Sequence, residues 1–202
     1  MFTGIVEETG TVVGNEADKD GRRITVDAGE LLAGCTVGAS IAVNGVCLTV
    51  EDFEYRGGED GWFEVFLAEE TIEKTYLADL ESAEKVNLER AVSASGRFDG
   101  HLMQGHVDTT ASVTGIEKVG EDWRYSFSLP EGYGRYVVDK GSVALDGISL
   151  TVAELDDDEF EIAIVPETYR KTNLSEKEEG DSVHLEVDVV AKYVESMVES
   201  YM

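Results

Sequence analysis

Ser40-Ile-Ala-Val-Asn-Gly-Val-Cys-Leu-Thr-Val50 returns about a hundred residues later as Ser142-Val-Ala-Leu-Asp-Gly-Ile-Ser-Leu-Thr-Val152. Six of the eleven positions are identical and the other five are conservative, where unrelated segments of ordinary composition would share about one. The motifs around this block repeat in the same order. Thr3-Gly-Ile-Val-Glu7 pairs with Gln104-Gly-His-Val-Asp108, Glu70-Thr-Ile-Glu-Lys-Thr-Tyr-Leu77 with Glu167-Thr-Tyr-Arg-Lys-Thr-Asn-Leu174, and Val86-Asn-Leu-Glu89 with Val183-His-Leu-Glu186. A period this long marks a duplicated domain, because solenoid repeats run to about 20–50 residues. The 202-residue chain is expected to form two domains, 1–97 and 98–188, followed by a C-terminal segment, 189–202. Each domain is long enough for its own core. Two copies of one pocket suit a protein that handles two similar small molecules at once.

Between the repeated blocks the apolar pattern is short and alternating. Arg23–Val26, Phe63–Phe66, Tyr125–Leu129 and Phe160–Val165 place apolar groups near period two and are rich in β-branched and aromatic residues. Turn clusters separate them at Asp18–Gly21, Arg56–Gly61 and Asp156–Glu159. With only two prolines, Pro130 and Pro166, ladders run largely uninterrupted, and each half reads as an all-β sandwich or barrel. The interval from Val50 to Glu70 exceeds that from Val152 to Glu167, so the first copy carries the longer hairpin, placed at Arg56–Gly61. Helical turns are expected at Ala28–Ala33 and Glu70–Leu80. A longer helix is expected over Val189–Met202, with Val190, Val194, Met197, Val198 and Tyr201 on one face. That face needs burial, and an oligomer contact suits a segment belonging to neither repeat.

The formal charge is −27, divided as −12 over residues 1–97 and −15 over 98–202, so it is a coat and no acidic tail. Phosphate backbones and anionic lipids both require Lys and Arg, so nucleic acid and membrane surfaces are excluded as partners. At about 1 M salt the Debye length is about 3 Å, which screens self-repulsion, so the coat reads as adaptation to high salt, the alternative being an acidic protein of an ordinary cytoplasm. Two cysteines, Cys35 and Cys47, no signal-peptide pattern and no apolar run of membrane length lead to a cytoplasmic protein with reduced thiols.

No P-loop, dinucleotide fingerprint, Cys-x-x-Cys or His-Glu-x-x-His is present, and three histidines without grouped partners make no metal site. Five motifs in order carry a resemblance instead. Met1-Phe-Thr-Gly-Ile-Val-Glu7, Asn44-Gly-Val-Cys-Leu-Thr49, Gly100-His-Leu-Met-Gln-Gly-His106, Asp146-Gly-Ile-Ser-Leu-Thr151 and Pro166-Glu-Thr168 resemble the riboflavin synthase family of α-chain type. The resemblance runs from residue 1 to about residue 194. It implies two tandem six-stranded Greek-key β-barrels with short helices and a C-terminal α-helix that assembles a homotrimer. It also implies the reaction, in which two molecules of 6,7-dimethyl-8-ribityllumazine exchange a four-carbon unit. The products are riboflavin and 5-amino-6-ribitylamino-uracil, and no cofactor is required.

A dismutation sets two identical substrates to different tasks, so matched positions should differ in acid–base character. They do: Ile5 against His106, Gly38 against Lys140, Asn44 against Asp146, Cys47 against Ser149 and Ala91 against Asp188. Among the candidate catalytic residues, His106 is the base for the C7 methyl proton, in histidine's ordinary range, or a hydrogen-bonding group only. Asp146 and Asp188 orient a histidine or bind ribityl hydroxyls, although Asp after a strand is also a common turn residue. Cys47 is open to two readings, a nucleophile lining the pocket or a small buried apolar residue. Ser40 and Ser149 complete the catalytic candidates. Where many members have two adjacent cysteines this chain has Val46-Cys47, a change confined to the opposite strand face.

Candidate substrate contacts are Gly4, Ile5, Val6, Leu48, Thr49, Glu70 and Thr71 in the first copy. In the second they are Val107, Asp108, Lys140, Leu150, Thr151, Val165, Pro166, Glu167 and Thr168. Gly4 and Gly105 are expected to let backbone approach a ligand, with Phe2 and its counterpart Met103 as apolar plugs. Lys140 either meets substrate or sits at the rim. His101 and His184 read as structural, and Cys35 has no role. Two other readings compete: a non-catalytic lumazine- or flavin-binding antenna protein, and a flavin-binding reductase barrel, which would need a nucleotide domain the length does not accommodate. The reaction site is expected between the first barrel of one subunit and the second barrel of its neighbour.

Overall fold

The computed structural model describes residues 1–199. Strands β1 (Glu8–Asp18), β2 (Gly21–Asp27), β3 (Ser40–Val43), β4 (Val46–Gly57), β5 (Asp60–Ala68) and β6 (Lys85–Arg90) close into one antiparallel barrel in the order β1-β2-β5-β4-β3-β6. Strands β7 (Thr109–Val119), β8 (Asp122–Ser128), β9 (Ser142–Leu145), β10 (Ile148–Leu155), β11 (Glu159–Ile164) and β12 (Ser182–Val187) close a second with the corresponding order. The fold is all-β, two six-stranded barrels from one duplicated topology. Period-two alternation builds each interior. On β5, Gly61, Phe63, Val65 and Leu67 are buried while Trp62, Glu64 and Phe66 between them face outward. Ile24, Val26, Phe63, Val65 and Leu88 centre the first core; Tyr125, Phe127, Phe160 and Ile162 centre the second.

The repeated block is a hairpin. Asn44 and Gly45 join β3 to β4 with φ of 44° and 80°, and Asp146 and Gly147 join β9 to β10 with φ of 44° and 78°. Positive φ at both central residues is the two-residue turn that suits strand twist, and Asn-Gly and Asp-Gly are its preferred sequences. The two tips meet: a Cβ on Gly45 would lie 2.7 Å from the Gly147 nitrogen, and one on Gly147 2.6 Å from the Gly45 nitrogen. Beside them Phe2, Met103, Ala42 and Ala144 form an apolar cluster between the barrels.

Two of the three expected helices are shorter than their sequence spans. Ala28–Ala33 contains one 3-10 turn, Glu30–Leu32. Glu70–Leu80 splits into α1 (Glu69–Lys74) and a 3-10 turn, Leu77–Asp79, because Thr75 takes extended backbone and its hydroxyl bonds the Thr71 carbonyl at 2.6 Å. Its counterpart α2 (Pro166–Lys171) ends likewise at Thr172. The C-terminal helix, α3, is described over Val189–Glu199; Tyr201 and Met202 lie outside the described residues. The longer first-copy hairpin is where it was expected, turning between Gly57 and Asp60.

Candidate active site

The segments that enter the barrels are exchanged. Residues 2–6 precede β1, yet the Gly4 carbonyl accepts from the Ser149 amide of β10 at 2.8 Å, and Val6 packs on the second core. Reciprocally, the Gly105 carbonyl accepts from the Cys47 amide of β4 at 2.8 Å, and Val107 belongs to the first core. Phe2 and Met103 pair across the crossing. Glycine is required because φ is 76° at Gly4 and 78° at Gly105, and a Cβ on Gly105 would lie 2.6 Å from the Cys47 Cβ. The close approach expected toward a ligand is, in this chain, an approach to the strand bearing Cys47 or Ser149.

The exchange carries His106 onto the first barrel. A hollow of about 350 Å³ is lined by Val46 and Cys47 of β4, Glu70, Thr71, Lys74 and Thr75 at α1, and Gly105, His106 and Val107. Lys74 pairs with Glu70 at 2.7 Å, which draws the Glu70 carboxyl below and the Lys74 ammonium above their ordinary values. His106 is exposed and Cys47 half-buried, so a heterocycle entering here meets an imidazole, a thiol and a Glu–Lys pair together.

The second copy differs. Ser149, at the Cys47 position, bonds through its Oγ to His101 Nδ1 at 2.7 Å. Burial holds the His101 ring below histidine's ordinary pKa, opposed by the Asp188 charge. Its Nε2 is the one buried side-chain polar atom without a hydrogen-bond partner among the described residues. Ile5 stands where the first pocket has His106 and borders a separate hollow of about 420 Å³ with Thr3, Glu7, Glu89, Ala91 and the linker at 92–97.

Comparison with known proteins follows the same division. A lumazine binding domain model matches residues 3–91 and again 104–188. A riboflavin synthase of Mycobacterium bovis is 44% identical over 99% of both chains. Those of Bacillus subtilis, at 41% over 96% of this chain and 88% of that one, and of Schizosaccharomyces pombe, at 40% over 100% and 96%, are similar. The chain belongs to the riboflavin synthase family. Among solved structures, LumP complexed with riboflavin superposes with a TM-score of 0.81 at 25% identity, covering 93% of this chain and 99% of that one. LumP complexed with 6,7-dimethyl-8-(1'-D-ribityl) lumazine gives 0.81 at 23% with the same coverage.

Within this family frame the expected site residues divide. Cys47, Glu70, Thr71, His106 and Val107 come together in the first hollow. Ser40 and Thr49 pair across β3 and β4 on the same outward face, beyond that lining, as do Ser142 and Thr151 in the second copy. Leu48 and Leu150 point the other way, into the two cores, as strand alternation demands. Asp146 is not at the hollow. It is fully buried at a hairpin tip, where Oδ1 accepts from the His184 amide at 2.8 Å, and Oδ2 accepts from Asn173 Nδ2 at 3.0 Å and lies 3.2 Å from Lys177 Nζ. Asn44 plays its part on the other side, accepting from the Asn87 amide at 2.7 Å and donating to the Tyr76 hydroxyl at 3.0 Å. The Asn44/Asp146 difference therefore belongs to the seam between barrels.

Asp108 accepts from the Val187 amide at 3.0 Å and pairs with Lys192 of α3 at 2.6 Å, so it fastens the helix. Asp188 accepts from the Val190 amide at 2.9 Å at the start of α3. Lys140 is exposed at φ 59°, bonded to the Ala153 carbonyl and 3.1 Å from Asp139, a rim position. In α2, Glu167 pairs with Arg170 at 2.8 Å and Lys171 at 2.9 Å; Val165 is exposed, and Pro166 opens the helix beside Thr168. His184 is structural: Nδ1 donates to the Asn44 carbonyl at 2.8 Å, Nε2 accepts from the Tyr76 amide at 3.1 Å, and the ring stacks on Tyr76 at 3.9 Å. His101, expected to be structural, bonds Ser149, the counterpart of Cys47. No group of three His, Cys, Asp or Glu suited to a metal occurs among the described residues, and none of their helices is long and apolar enough to cross a membrane.

Proposed function

We propose that this protein is a riboflavin synthase, dismutating two molecules of 6,7-dimethyl-8-ribityllumazine into riboflavin and 5-amino-6-ribitylamino-uracil. The observation that carries the reading is unlike chemistry at matched positions of the repeat: a hollow lined by His106 and Cys47 on the first barrel, and Ser149 bonded to His101 on the second. The products together contain every atom of the two substrates, so the transfer needs no oxidant and no cofactor. His106 takes a proton from the C7 methyl of one lumazine, and neighbouring donors stabilise the carbanion, contributions of about 10²–10⁴-fold for such a base. Cys47 lies where a thiol reaches an electrophilic ring carbon.

The reacting pair forms between the first barrel of one subunit and the second barrel of another in a homotrimer. Supporting this, α3 turns its polar side to its own barrel while Val190, Val194 and Val198 stand exposed. The enzyme works in a cytoplasm of high salt, the setting that suits a charge of −27 and two free cysteines. The test is turnover of purified protein with the lumazine in molar KCl. One riboflavin formed for every two lumazines consumed is the expected result. Tight lumazine binding without riboflavin would make the protein a chromophore carrier.

A further inference from the structure

Each entering segment is gripped by a carboxylate from its own barrel. Glu89, at the end of β6, accepts from the Thr3 amide at 2.7 Å, the Thr3 hydroxyl at 2.9 Å and the Gly4 amide at 2.9 Å. Glu186, at the matched place on β12, accepts from the Gln104 amide at 2.7 Å and the Gly105 amide at 3.0 Å. Both carboxylates are buried, at 6% and 3% exposure, and among the described residues neither has a cation in direct contact. A buried carboxylate with no ion partner is costly unless its hydrogen bonds are needed. Those of Glu186 fix the two peptide groups that precede the one joining Gly105 to His106. The Gly105 carbonyl, on the following peptide, is in turn held by the Cys47 amide.

We infer that Glu186 is the positioning residue that seats His106 over the Cys47 pocket, an inference that rests on reading that pocket as a reaction site. An ionised carboxylate offers one acceptor oxygen to each amide. Protonation turns one of those oxygens into a hydroxyl and weakens the bond it receives, loosening the peptide that carries His106. The pair is unequal across the repeat, because Gln104 lacks the hydroxyl with which Thr3 gives Glu89 a third donor. The charged groups acting on Glu186 are Lys192 of α3, which favours its ionisation, and Asp108 of the entering segment, which opposes it; β9 faces it with Ala144. Burial outweighs both amide bonds and raises its pKa to about 7, so the grip changes state near neutrality.

The test follows the Gln104 and Gly105 amide resonances of the full chain from pH 5.5 to 8.5, with kcat and KM measured alongside. Wild type and His106→Gln are expected to share a step near pH 7 that Glu186→Gln lacks. At pH 8 Glu186→Gln is expected to lose ten- to hundredfold in kcat with KM within threefold, since the substrate still meets Cys47 and α1. A step that disappears in His106→Gln belongs to the imidazole and overturns the inference. So does the lack of any step in wild type, or unchanged kcat in Glu186→Gln. The amide titration needs no turnover, so it stands even if Glu186→Gln does not fold. A wild type that forms no riboflavin would instead overturn the reaction reading alone.

Discussion

Ser149 and Cys47 occupy one position of the repeat, but only Ser149 has an imidazole on its side-chain atom. The Ser149 hydroxyl and the His101 ring, whose pKa burial lowers, form a pair able to pass a proton, while the shielded Nε2 has no hydrogen-bond partner among the described residues. His101→Gln is therefore expected to lower riboflavin formation at least tenfold while moving the melting temperature little, because the ring is only half-buried; steady-state kinetics beside thermal unfolding decide it. Unchanged turnover would leave His101 a structural residue. Comparing the two repeats exposed His106 and Cys47, since each has an unlike partner. It did not single out His101, which lies outside the matched blocks that start at Thr3 and Gln104. Asp146 differs from Asn44 in the same comparison, and both are turn residues whose side-chain oxygens bond groups of the seam, the Asp146 carboxylate among them holding the His184 amide.

At the element scale the hairpin β3–β4 and its copy β9–β10 join the barrels, and glycine at each tip is what permits contact. Gly45→Ala meets two costs, a left-handed φ of 80° and the Gly147 nitrogen 2.7 Å from the new Cβ. The backbone term is about 1 kcal/mol; displacing a neighbouring main chain brings the total to about 2–4 kcal/mol. At about 2–4 °C per kcal/mol for a chain of this size, calorimetry should show a fall of roughly 5–15 °C. Gly58→Ala is the control, with φ 64° and nothing within 4 Å of its Cβ, and should lose no more than the backbone term. Equal losses would mean the tips do not bear on each other. The strands and the duplication were legible because period two and a repeated block are local signals, whereas the turn at Asn44-Gly45 that makes the block a hairpin was not read from them. The length of α1 was not, because Thr75 and Leu77 continue an acceptable helical pattern. Only the Thr75 hydroxyl on the Thr71 carbonyl, with Leu77 buried in the first core, ends the helix.

Over the whole molecule, alternation tells which face of a segment is apolar but not whose barrel it covers, so the exchange of residues 2–6 and 103–107 was hidden. The same gap applies to α3, whose stripe was visible and whose partner was not. Lys192 fixes the helix to Asp108, Glu195 is 2.8 Å from Arg135 and also bonds the Tyr136 hydroxyl, and Val190, Val194 and Val198 remain 50–55% exposed. A helix tied down on its polar side has its apolar side available to another copy of the chain. Val194→Glu puts a charge into that contact without touching either barrel. The variant is expected to sediment as a folded monomer that binds lumazine and makes at least a hundredfold less riboflavin, the outcome that the proposed reaction between pockets of different subunits requires. Because each subunit carries −27, wild-type assembly should strengthen from about 0.1 M to about 1 M KCl as the Debye length contracts from about 10 Å to about 3 Å. A Val194→Glu monomer with full turnover would place both substrates within one chain, and the exchanged segments would then be the only bridge between the two pockets.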